Sequence, residues 1–147
     1  MIERSLYALW AASKSMLFIG VLATASAGLM TLGLGMDTPW APWKGEDTAM
    51  FPAVWFTLAS FLATLAACAA GVVLHTMIGL VTSQADRWWW GCGTVFLFLY
   101  GVYSLGSGTP EAALMLNVLH VIVGVPALIL LPRSINNHRL PLVSPLR

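Results

Sequence analysis

Long stretches without one charged residue dominate this chain and dictate what it can fold into. The first runs from Ser15 to Leu34, bounded by Lys14 and Asp37. The second runs from Met50 to Val81, between Asp47 and Asp86. The third covers Trp88 to Leu105, between Arg87 and Glu111. The fourth, Ala112 to Leu131, ends at Pro132 and Arg133. A helix rises ~1.5 Å per residue, so ~20 residues cross a ~30 Å hydrocarbon layer. Each run is about that long or longer, the second long enough to require tilt. Within lipid, backbone groups are satisfied only in helices or closed barrels. Barrel strands alternate polar and apolar residues; these runs do not.

Composition points the same way. Of 147 residues, 59% are hydrophobic and only 9% charged, against about a quarter charged in soluble domains. The formal net charge of +1 gives no electrostatic reason to expect nucleic acid as a partner. The fold class expected is an all-α membrane protein, a four-transmembrane-helix bundle with spans near 15–34, 52–81, 88–106 and 111–131. Residues 1–14 read as an interfacial segment, with Leu6, Leu9 and Trp10 dipping into lipid, and 134–147 as a basic cytoplasmic tail. A cleavable signal peptide ending at Ala25-Ser26-Ala27 is the competing reading of the N-terminus. Against it, the apolar run continues through Leu29, Met30, Leu32 and Leu34.

With four spans and the N-terminus inside, Arg4, Lys14, Arg87, Arg133, Arg139 and Arg147 face the cytoplasm and only Lys44 lies outside. That bias places both termini in the cytoplasm and the protein in the cell membrane as a multi-pass protein. Trp88, Trp89 and Trp90 are expected at the inner interface; Trp40, Trp43 and Trp55 at the outer. The outer acids Asp37, Glu46, Asp47 and Glu111 read as a solvated surface.

Close approach of small residues drives helix pairing in lipid. The second run carries Ala59, Ala63, Ala67, Gly71, His75 and Gly79 at four-residue spacing. The first carries Gly20, Thr24 and Gly28, and also Ala23, Ala27 and Thr31. These two faces are expected to meet.

Polar groups inside lipid are costly and are therefore the first functional candidates. Asn117 and His120 lie three residues apart, on one face of the fourth span. His120 is ~16 Å from Leu131 by helical rise, near mid-membrane. The pair either binds a ligand or handles a proton, or else it hydrogen-bonds between helices and fixes packing. Tyr100, Tyr103 and Ser104 on the third span are the expected partners. His75 is the second candidate. It differs from His120 by ~7 Å in depth on the same rise, so tilt could bring two imidazoles to one haem. With no Asp or Glu in any span, no metal site and no cofactor are expected. Cys68 and Cys92 lie at different depths and read as apolar fillers.

The second half resembles an uncharacterised family of small four-helix integral membrane proteins found mainly in actinobacteria. The likeness rests on the long second helix, the short link with Arg87, the Ser104-Leu105-Gly106 turn, and the final helix. There Leu119-His120 leads to Gly124-Val125-Pro126 and closes with Leu131-Pro132-Arg133. It implies a four-span bundle. His120 matches the family histidine, and no activity comes with it.

The leading expectation is a non-enzymatic accessory or interaction subunit whose partners are the bilayer and a second copy or another membrane protein. The alternative is a membrane-embedded enzyme or binder for a lipid or isoprenoid-like molecule, with His120 as acid or base and Asn117 and Tyr103 positioning the ligand. A cavity walled by His120 and Asn117 would favour the alternative; direct hydrogen bonds with no void would favour the first.

Overall fold

The computed structural model describes residues 2–36, 50–105 and 110–137, and all four of their long elements are helices: α1 (Ile2–Gly28), α2 (Met50–Val81), α3 (Ala85–Ser104) and α4 (Pro110–Asn137). A π-helical turn, Leu29–Gly33, extends α1 and closes through Leu34 N–H on Leu29 O at 2.9 Å. Gly35, at φ 66°, takes the left-handed conformation that ends such a turn. Three helices are long and apolar enough to cross a membrane: α1 with its π turn, Val54–Val81 of α2, and α4. The expected outer-loop residues 37–49, the Gly106–Thr109 link and the tail from His138 lie outside the described residues, so the readings placed on Trp40, Trp43, Asp37, Glu46 and Asp47 are not addressed.

The helices alternate in direction. Gly20 of α1 faces Phe61 and Leu65 of α2, and Gly28 faces Thr57. Early α1 residues Ala8 and Ala12 share a core with Leu131 and Ile135 of late α4. Late α1 residue Ala27 meets Met115 and Leu119 of early α4. Helix α1 thus lies along both α2 and α4, while α3 leans chiefly on α4 and meets α2 over a shorter stretch.

Two expected boundaries shift. Residues 2–14, expected as a segment apart from the first span, belong to α1, and Ala8, Ala11 and Ala12 are buried. Ser15 also hydrogen-bonds Ser134, with 2.6 Å between hydroxyls. The fourth helix does not stop at Pro132 but continues to Asn137.

The expected meeting of small-residue faces is corrected in an informative way. The α1 face does meet α2, but on its bulky stripe. A Cβ on Gly20 would sit 2.9 Å from the Phe61 ring and 3.2 Å from Leu65. The Ala59–Ala63–Ala67 ladder of α2 instead lines a cleft toward α3 and α4, and Gly71 receives the Trp89 ring. A small residue admits a large neighbour more readily than another small one, because small against small leaves dispersion contacts unmade. Gly20→Leu should therefore lower stability by ~1–3 kcal/mol, read by denaturant unfolding in detergent. Gly91→Leu, where nothing lies within 4 Å of the new Cβ, should not. Equal effects at the two sites would contradict this packing.

Candidate functional site

At one end of the bundle, Trp89 joins three helices. Its ring lies over Gly71 of α2, where a Cβ would come within 2.7 Å of it. Its edge meets the His75 ring at 5.8 Å between centroids and 86° between planes. Its indole N–H donates to Leu128 O of α4 at 3.2 Å. That carbonyl is available for a chemical reason. In a helix Leu128 O would accept from the amide of residue 132, and Pro132 has no N–H. The indole supplies the missing donor.

His75 is 1% exposed. Its Nε2–H donates to Asp86 Oδ1 at 2.7 Å, and Asn136 Nδ2 of α4 donates to Asp86 Oδ2 at 2.9 Å. The carboxylate therefore fixes both the tautomer of His75 and the meeting of α2, α3 and α4. His75 Nδ1 and Asn136 Oδ1 are buried acceptors with no donor among the described residues.

Beyond this floor the helices part. A cleft of about 670 Å³, partly open, is bounded by α2, α3 and α4. Cys68, Gly93 and Leu128 lie at its Trp89 end; Phe56, Ser60, Tyr103 and Ser104 lie at the other. The wall is mostly apolar and, among the described residues, includes no Lys, Arg, Asp or Glu. His120 stands on it. Its ring packs on Tyr100, with centroids 4.3 Å apart at 44°. Its Nδ1–H donates to Leu116 O, since a carbonyl can only accept. In the neutral ring Nε2 is then an acceptor.

The other expected partners separate. Asn117 does not line the cleft. Its Nδ2 donates to Ser104 Oγ of α3 at 2.5 Å and to Ala113 O at 2.9 Å, and Ser104 passes its own proton to Gly101 O at 2.7 Å. Oδ1 rests against Gly101, whose missing Cβ would come within 2.8 Å. Asn117 is thus the α3–α4 tie that the packing reading described, and His120 is the cleft residue that the ligand reading described. Tyr103 is on the cleft rim, 78% exposed; Tyr100, not Tyr103, touches His120. His75 and His120 sit in separate clusters, His75 engaged with Asp86 and His120 with Tyr100, so the arrangement does not frame one haem between them.

Sequence reasoning missed Trp89, Asp86 and Pro132. It placed the three tryptophans together at the interface, whereas Trp88 and Trp90 are exposed and Trp89 is buried. The readable signal was Pro132 inside an apolar helix, which leaves a carbonyl in need of a donor. Comparison with protein-family models, with curated proteins and with solved structures finds no match for this chain.

Trp89→Phe removes the donor to Leu128 O and should cost ~1–3 kcal/mol of stability. In a Pro132→Ala background the new backbone amide reaches the same carbonyl, and the cost should fall. A double-mutant cycle by denaturant unfolding reads the difference; additive losses would contradict the indole's role.

Proposed function

We propose that this protein is a four-span protein of the cell membrane that binds an apolar, lipid-like molecule in the cleft between α2, α3 and α4. The observation that carries the proposal is the cleft itself, mostly apolar and about 670 Å³, within the range typical of ligand sites. His120, with Ser60, Thr64, Tyr100 and Tyr103, supplies the few polar groups on its wall. Asn117 and Ser104 hold α3 against α4 and so set the cleft's width.

The reading is of a binder rather than a catalyst. Nδ1 of His120 is engaged by its own helix, not by a carboxylate that would orient and charge-stabilise a general base. Four spans are supported by the length of α3: its 20 residues reach ~30 Å, and its α2 link is only Thr82 to Gln84. An even count with the observed Lys and Arg distribution puts both ends in the cytoplasm. The accessory-subunit reading is favoured by the Ala59–Ala63–Ala67 wall, a surface to which a helix of another chain could dock.

One experiment separates the two. Purified protein should retain a stoichiometric apolar molecule in native mass spectrometry, and Ala63→Phe should abolish retention while the chain stays monomeric and folded. Loss of a partner subunit or of a dimer on Ala63→Phe, with no small molecule retained by the parent, would overturn the binding reading in favour of the accessory subunit.

A further inference from the structure

The polar atoms of the cleft are few, uncharged and gathered toward one end, and this restricts what the cleft can hold. His120 Nε2 faces a ligand as an acceptor, because Nδ1 carries the proton given to Leu116 O. Ser60 Oγ donates to Phe56 O at 2.8 Å, so toward a ligand it too is left as an acceptor. Ser104 is fully engaged, donating to Gly101 O and accepting from Asn117. Tyr100 and Tyr103 add phenol hydroxyls on the α3 side, and Thr64 adds a hydroxyl on α2. Among the described residues no cation lines the wall. A phosphate or carboxylate taken in there would be desolvated without a counter-charge, which is prohibitively unfavourable. A pure hydrocarbon would leave His120 Nε2 buried without a donor.

From Tyr100 and His120 to the Trp89 floor the wall turns to Ala67, Cys68, Gly93, Leu97, Leu128 and Leu131. From His120 to Leu131 that stretch is ~16 Å by helical rise. At ~30 Å³ for a group the size of a water or a methylene, the cleft takes about 20 such groups. We infer that the ligand is an uncharged long-chain or isoprenoid alcohol, or a phenol with such a tail. Its hydroxyl donates to His120 Nε2 near the Tyr103 rim, and its tail runs to Trp89. This rests on the binding reading above and specifies its chemistry. The site also has a direction: the hydroxyl end sits at the open, Tyr-lined end, and the chain terminus meets the floor set by Gly71 and Trp89.

The test uses the full-length protein in detergent with three probes at equal micellar mole fraction: geranylgeraniol, geranylgeranyl diphosphate, and the corresponding hydrocarbon without the hydroxyl. Native mass spectrometry should show the alcohol bound about tenfold more tightly than the hydrocarbon, and the diphosphate bound least. His120→Phe keeps ring volume but removes the acceptor. It should bring alcohol and hydrocarbon to equal binding with hydrocarbon affinity retained, which also shows that the variant is folded. A diazirine at the tail end should crosslink to the Cys68 and Gly93 region, and one beside the hydroxyl to Ser60 or Tyr103. Equal binding of alcohol and hydrocarbon to the parent protein, or an unchanged preference in His120→Phe, overturns this inference while leaving the cleft a binding site. Failure of all three probes to bind overturns the binding reading itself.

Discussion

A proline without an amide proton, and the indole that answers it, organise this bundle. Pro132 leaves Leu128 O without its helical donor in the buried interior of the bundle. Trp89 reaches it from α3. The ring can do so only because Gly71 has no side chain in its path. Its other edge then meets His75, which is held through Asp86 to Asn136 of α4. Three helices are therefore fixed at one end by directional bonds in addition to the apolar cluster around Trp89, Leu128 and Leu131, and apolar packing by itself distinguishes poorly between protein and lipid surroundings.

The cleft follows from the same constraint. With α2, α3 and α4 pinned at Trp89, and α3 tied again to α4 by Asn117 and Ser104, the remaining gap lies between those ties. Alanines on α2 keep it open, since Ala59, Ala63 and Ala67 do not reach across. Helix α1 closes the back, where Ile19, Ala23 and Ala27 are buried and Ala23 reaches the cleft wall. The cleft is thus a consequence of where large residues are withheld, and His120 is among the polar side chains that line the resulting space.

The helical architecture was legible in the sequence because uncharged runs of that length have few alternatives in lipid. Asp86 and Glu111 lie in the first turns of α3 and α4, whereas Lys14 and Arg133, expected at helix ends, fall within α1 and α4. Helix α3 is less marked by hydropathy, because Trp88, Trp89, Trp90, Gly91 and Gly93 dilute it. Side-chain partnerships were harder to read. Four-residue spacing marks one face of α2 but does not say whether that face meets a helix or a void; the bulky residues of the opposing helix decide that. Asn117 and His120 share a face by spacing, yet Gly101 draws the amide toward α3 while the imidazole stays on the cleft. Asp86 was readable as a charge at the end of a helix. Its role required knowing that the tight link returns it to His75.

The central claim is that the space between α2, α3 and α4 belongs to a small apolar molecule. An experimental structure of the protein in lipid nanodiscs tests it most directly. The account predicts elongated density running from His120 to Trp89 with α2 and α3 still apart. A helix of a second chain in that position, or α2 collapsed onto α3 with no space between them, would contradict it.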